Sequence, residues 1–250
     1  MDLNGVSAII TGGASGIGGG TARILTAAGA RCALLDRNLD LAAELAAELG
    51  GVAVQCDVGD HDSLGKAIAE ANKKIGTARV MVNAAGIDTV RKIASGDGPH
   101  AYGPLQRVIN VNLVGVLMGS AYAANDMMAL DPLDDDGERG VIVNIASVAA
   151  FNAPPGQAAY AASKAGVVGA TLPMARDLAQ YGIRVMCIAP GLFETPLSDT
   201  ISDSVKESMM RNIPFPKRMG KPQEIGELIK SICENRMLNA ETIRIHAGWN

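Results

Sequence analysis

Three side chains near the middle of the chain have the types and spacing to move a proton beside a polarised oxygen: Ser147, Tyr160 and Lys164. The stretch Tyr160-Ala161-Ala162-Ser163-Lys164 reads as helix, so Tyr160 and Lys164 share one face. A free phenol with a pKa of about 10 is a poor acid or base at neutral pH. An ammonium one helical turn away stabilises the phenolate and brings that value down, which makes the pair a candidate acid/base. Ser147 follows the apolar run 141–145 and precedes the loop into this helix, where its hydroxyl can polarise a substrate oxygen. A Tyr/Lys pair by itself is also what a surface helix contact looks like. The remaining motifs decide between the two.

A second set of residues suits an anion. The apolar run 7–11 leads directly into Gly12-Gly13-Ala14-Ser15-Gly16-Ile17-Gly18, and a helical pattern follows. Glycine at 12, 16 and 18 lets the backbone turn sharply and approach a pyrophosphate closely, with Ser15 and Ile17 completing the turn. The free amides and dipole of the helix start favour negative charge. A Gly-rich turn is weak on its own, but its place right after a first strand points to a dinucleotide. The next apolar run ends in Asp36, where a carboxylate accepts hydrogen bonds from the adenosine ribose and repels a 2′-phosphate. NAD is therefore expected over NADP, with Arg37 next door pulling the other way.

The elements needed to hold these groups are legible as alternating strands and helices. Strands are expected at 7–11, 32–36, 52–57, 80–83, 141–145, 183–189 and 242–246. Helices are expected after the Gly-rich turn through Ala28 and at 39–49, 62–75, 105–130, 157–180 and 222–234. The strands are continuous apolar runs, as when helices cover both faces of a parallel sheet. The expected fold is α/β: one Rossmann domain over 1–250, a doubly wound parallel sheet of about seven strands with right-handed crossovers. Two segments, 94–103 and 131–140, read as surface excursions. The second holds Asp131, Asp134, Asp135, Asp136 and Glu138 and reads as a solvated loop, since no Ca²⁺-loop spacing is present.

Composition agrees. Apolar residues make up 48% and charged ones 19%, enough for a substantial core, while aromatics at 3% leave that core to small and aliphatic side chains. The formal net charge of −4 gives no reason to expect nucleic acid or an anionic membrane as partner. No apolar run reaches the roughly 18 residues of a bilayer span, and no secretory leader is evident at the start. Cys32, Cys56, Cys187 and Cys233 are scattered and read as buried small hydrophobes rather than metal ligands or disulfides. A reduced, cytoplasmic setting with no metal is expected.

With these motifs in order, the chain resembles the short-chain dehydrogenase/reductase family from about Val6 to Gly248. The residues that carry the resemblance are 11–18, Asp57-Val58, Asn83-Ala84-Ala85-Gly86, Asn112, Ser147, Tyr160, Lys164 and Pro190-Gly191. The resemblance implies that Tyr160 is the acid/base, that Lys164 holds the nicotinamide ribose, and that Ser147 orients the substrate oxygen. Asn112 would position a water in a proton relay to Lys164. Asp57 and Val58 would contact the adenine edge, and Asn83, Ala84 and Gly86 would line the cofactor. Pro190, Gly191, Phe193 and Thr195 would cover the carboxamide. Two departures stand out: Ala84 replaces a second Asn, and His246-Ala247-Gly248 replaces Asp-Gly-Gly after the last strand. His246 is not needed as a base, because Tyr160 fills that role.

Further stretches, among them 139–144, 147–151, 171–173, 189–193 and 213–216, resemble the branch of the family that oxidises 3-hydroxyacyl-CoA. The expected reaction is reversible oxidation of such a secondary alcohol to the 3-ketoacyl-CoA. Alternatives are a hydroxysteroid or other bulky alcohol, or a 3-oxoacyl-carrier-protein. The segment 192–213, with Leu197, Met209 and Met210, says only that the substrate side is apolar. A non-catalytic NAD-binding subunit would have lost a reaction residue, and all four are present. A methyltransferase on a Gly-rich α/β fold would leave Ser147, Tyr160 and Lys164 unexplained. The resemblance also implies a homotetramer.

Overall fold

A computed structural model describes residues 1–199 and 201–249. Its centre is a seven-stranded sheet in the order β3-β2-β1-β4-β7-β8-β9, every neighbouring pair parallel. The strands are β1 (Ser7–Thr11), β2 (Arg31–Asp36), β3 (Val52–Gln55), β4 (Val80–Asn83), β7 (Gly140–Ile145), β8 (Ile183–Pro190) and β9 (Thr242–Ile245). The expected β3 ran to residue 57 and is two residues shorter, because the chain turns at Asp57, whose Oδ1 accepts the Gly59 amide at 2.9 Å. The segment 94–103 is not wholly irregular: it carries a small hairpin, β5 (Ala94–Ser95) with β6 (Gly98–Pro99).

Helices α1 (Gly16–Ala27), α2 (Leu39–Leu49) and α9 (Pro222–Glu234) cover one face of the sheet. Helices α3 (His61–Ile75), α5 (Gly115–Met128) and α6 (Ala158–Leu178) cover the other. Neighbouring strand residues alternate between the two faces: Ile10 and Leu34 pack with Leu25 and Ile229, while Ile9 and Leu35 pack with Leu64 and Met127. Both faces are therefore buried, which is why the strands read as unbroken apolar runs.

Helix α5 continues from α4 (Tyr102–Ile109) through a π turn at Asn110–Val114, so one rod runs from Tyr102 to Met128. By length and composition this rod is apolar enough to cross a membrane, with a mean hydropathy of 1.3 over 18 residues, contrary to the expectation of no such run. Half of that window is buried within the protein, against the sheet and its neighbours. Segment 192–213 folds into two short helices, α7 (Pro196–Asp199) and α8 (Asp203–Arg211), that periodicity did not foretell.

Segment 131–140 departs from the solvated loop expected of it. Glu138 is 5% exposed and accepts Nε and Nη2 of Arg184 on β8 through Oε1, at 3.1 and 2.9 Å. Arg184 spends its other donors on the carbonyls of Ile232, Cys233 and Leu238 at 2.7–3.1 Å. Arg236 adds contacts to Asp134 and Asp136 from outside. The four cysteines are buried free thiols, as expected. No cluster of metal-ligating side chains occurs among the described residues.

Candidate active site

Strand order places β1 and β4 side by side, with the chain leaving them in opposite directions across the sheet. A crevice at the carboxyl ends of such strands is where this architecture binds ligands. The Gly-rich turn leaves β1 there, Asp88 follows β4, Ser147 follows β7, and Pro190-Gly191 ends β8.

The turn after β1 can exist only with glycine at its tightest points. Gly12 has φ +63° and Gly16 φ +50°, and a Cβ at Gly12 would meet the Ala85 backbone at 2.8 Å. A Cβ at Gly18 would lie 2.1 Å from the Gly12 carbonyl oxygen. Ser15 stands at the N-cap of α1 without a side-chain cap bond, leaving its hydroxyl and the first helix amides for an anion. Asp36 accepts the Ala14 amide at 3.1 Å and the Asn38 amide at 3.0 Å, which fixes its carboxylate against the same turn. Thr195 and Pro196 reach back over it, 3.4 Å from where a Gly16 Cβ would stand. Ser198 accepts the Thr195 amide and shapes that segment. Phe193 is buried and bridges Gly220. The observed cradle of glycines, open helix amides and a fixed carboxylate fits a dinucleotide.

Two of the expected site residues brace the framework of the site with their side chains. The Asn83 amide donates to Asn144 Oδ1 at 2.8 Å and to Ser120 at 3.1 Å, inside the core between β4, β7 and α5. Its side chain braces the sheet, while Ala84 and Gly86 carry the backbone on to the crevice. Asn112 is fully buried in the π turn, and its side chain holds both the Ile87 amide and the Ile87 carbonyl at 2.8 Å. Its Nδ2 also reaches Ser163 at 3.2 Å. The relay expected of Asn112 runs through a water, and its side chain in addition clamps the loop after β4. A π turn at such a position opens the helix where that clamp is needed.

The reaction set is brought together. Tyr160 and Lys164 face the crevice from α6, with the ammonium 5.7 Å from the ring centroid. Lys164 Nζ is buried and donates to the Ile145 carbonyl at 2.8 Å, so β7 fixes its position. Ser147 caps a short turn after β7 through the Ala149 amide at 3.1 Å and is hydrogen-bonded to the Tyr160 side chain. Burial pushes the Tyr160 phenol up to about 12, the Ser147 bond opposing it and Asp88 adding to the rise. Burial also takes the Lys164 ammonium down to about 8. Among the chain's own groups burial is the dominant influence on Tyr160 and favours the phenol.

Sequence reasoning missed Asp88 and Gln157. The Gln157 amide donates to Asp88 at 2.7 Å, beside Tyr160. A carboxylate two residues beyond Gly86 was the available signal. At the far rim, His246 presses on Gly191, where a Cβ would lie 2.7 Å from that of His246, and Nδ1 of His246 is buried without a partner. Ala247 takes a left-handed φ of +54°, a conformation that suits glycine, so the departure from Asp-Gly-Gly stores backbone strain here.

Comparison with known proteins agrees with this geometry. The family model for short chain dehydrogenase matches residues 7–206. A 3-hydroxyacyl-CoA dehydrogenase type-2 of Bos taurus is 45% identical over 97% of this chain and 94% of its own length. The protein of the same name from Drosophila melanogaster is 46% identical over 98% and 97%. A crystal structure of 3-hydroxyacyl-CoA dehydrogenase type-2 from Mycobacterium avium superimposes with a TM-score of 0.91 at 36% identity, covering 98% of this chain and 96% of that one. Matched along most of its length in sequence and nearly all of it in structure, the chain belongs to the short-chain dehydrogenase family, whose members are nicotinamide-dependent oxidoreductases.

Proposed function

We propose that this enzyme prefers NAD and interconverts a 3-hydroxyacyl-CoA and the 3-ketoacyl-CoA. The observation that carries the chemistry is the convergence of Ser147, Tyr160 and Lys164 beside the Gly-rich turn. The substrate reading is supported by relatives named for that activity at about 45% identity. The NAD preference is supported by Asp36, a carboxylate at the end of β2 held against the Gly-rich turn, since a negative charge there would repel a 2′-phosphate.

Gly12, Ser15, Gly16, Ile17, Gly18 and Asp36 hold the dinucleotide, Thr195 covers it, and Lys164 holds its nicotinamide ribose. When bound, the nicotinamide supplies the hydride acceptor or donor. In the oxidation direction Tyr160, ionised where Lys164 and the bound nicotinamide cation offset burial, receives the hydroxyl proton while Ser147 donates to the same substrate oxygen and orients it. In the reduction direction the Tyr160 phenol gives its proton to the developing alkoxide.

The test is to mix protein, NADH and acetoacetyl-CoA and follow the loss of NADH absorbance. Turnover is expected. Turnover only of a steroid ketone or a carrier-protein thioester sinks the substrate reading and leaves the proton chemistry intact. The carrier-protein alternative has one specific support, a Thermotoga maritima 3-oxoacyl-[acyl-carrier-protein] reductase 34% identical over 99% of both chains. A cytoplasmic homotetramer remains part of the reading. Leu172 on α6 is 42% exposed and the space over Gly169 is open, which leaves that face for a subunit contact.

A further inference from the structure

Asp88, half-buried on the loop leaving β4, has no role in the chemistry described so far. The backbone around it is fixed. Asn112 clamps Ile87 from both sides, and a Cβ at Gly86 would stand 3.5 Å from Lys164 Nζ. The carboxylate is fixed too: Oδ2 accepts Gln157 Nε2 at 2.7 Å and Oδ1 accepts the Thr89 amide at 2.7 Å. Gln157 is the N-cap of α6 and lies three residues before Tyr160, so one helical turn separates the carboxylate's holder from the acid/base. Neither holder is a cation, and the charge of Asp88 is left to act on its surroundings.

The groups facing it are few. From α6 come Tyr160 and Lys164. Beyond them, Ser147 after β7 bonds Tyr160, and the Cys187 thiol on β8 faces Lys164. We propose that Asp88 is a positioning residue, a carboxylate fixed by Gln157 one helical turn from Tyr160, whose negative charge acts on Tyr160 and Lys164 and turns away substrates that are anionic beside the reacting carbon. This rests on the Tyr160 and Lys164 assignment above. A 3-keto acid carries its carboxylate two bonds from the carbon that receives hydride, whereas a thioester is neutral at the same place. The like charge therefore discriminates against the free acid without any contact special to the thioester. The influence on both partners has the same sign: burial is the larger cause in each, and Asp88 raises the phenol along with it and raises the ammonium against it.

The experiment has two arms. In the first, [13Cε]lysine NMR follows the titration of Lys164 in the wild-type chain, Asp88→Asn and Asp88→Glu, with Lys164→Arg assigning the resonance. The Lys164 midpoint, near 8 in the wild type, is expected to fall by about half a unit or more in Asp88→Asn and to hold in Asp88→Glu. In the second, kcat/KM with NADH is compared for acetoacetate and methyl acetoacetate. The acid-to-ester ratio is expected to rise about tenfold in Asp88→Asn. An unmoved Lys164 midpoint overturns the proposal, and an unmoved ratio overturns the selection against anions. If both arms respond but no variant reduces acetoacetyl-CoA, the thioester assignment fails and the role of Asp88 stands.

Discussion

Among the described residues two basic side chains are buried in polar clusters, and the chain treats them in opposite ways. Arg184 is met by the Glu138 carboxylate and four carbonyls, so nearly every donor has a partner and a counter-ion lies in direct contact. Lys164 is met by a single carbonyl, with Asp88 acting on it from further away, and burial drives its proton affinity down. A buried cation with full compensation supports the fold; one left short of partners exchanges protons in the working pH range. The difference lies in the neighbours rather than in burial, since both side chains are almost wholly enclosed.

That contrast can be broken in either cluster. The largest effect is expected from Tyr160→Phe, which removes the proton carrier beside Lys164 and should lower kcat by about 10²–10⁴-fold. Its melting temperature should stay close to wild type; a rate within a fewfold of wild type would remove Tyr160 from the mechanism. Next comes Glu138→Ala, which leaves Arg184 buried without its counter-ion. A loss of about 3 kcal/mol is expected in urea unfolding, with kcat per folded molecule unchanged.

Lys164→Met should go the other way in stability while abolishing turnover. Below pH 8 the folded chain bears the full cost of a buried ammonium, because folded and unfolded lysine are both protonated. Between about 8 and about 10.5 the unfolded chain binds the proton more tightly, so wild-type stability rises with pH across that window. Tyr160 opposes this only above about 10, where the folded state keeps its proton and stability falls as pH climbs towards 12. At pH 7 the methionine variant is therefore expected to gain about 1 kcal/mol, net of the donor lost to Ile145. Equal melting temperatures at pH 7 would show that Lys164 is as well compensated as Arg184. The smallest effect is at the cofactor: Asp36→Asn should shift the NAD-to-NADP preference about tenfold towards NADP in kcat/KM.

The sequence made the frame readable because the frame is local. Alternation of apolar runs with helical periodicity placed all seven strands of the main sheet, and the Gly-rich turn could be placed because its glycines are needed by backbone geometry. The site was half readable. Tyr160 and Lys164 are four residues apart on one helix, so spacing alone joins them. Asp88 and Gln157 are 69 positions apart and meet only through the fold. Asn112 and Asn83 were assigned by likeness, and only packing shows that one clamps Ile87 and the other braces Asn144. Five carboxylates within 131–140 look alike in sequence, yet one is buried, and the arginine that draws it inward lies 46 residues away. An arginine inside the apolar strand Ile183–Pro190 was the signal that a buried carboxylate had to exist somewhere.

The grip of Asn112 on Ile87 also decides how the floor of the site fluctuates. A loop leaving a strand ordinarily opens with the surface, at little cost in free energy. Here the Ile87 amide hydrogen is held by a side chain that has no solvent exposure, on the rod that runs from Tyr102 to Met128. To release it, the π turn must part from the sheet, so this stretch of loop opens with the core. The wall that carries Asp88 is consequently slow to yield, and a ligand pressed against it meets a fixed charge rather than one that can swing aside.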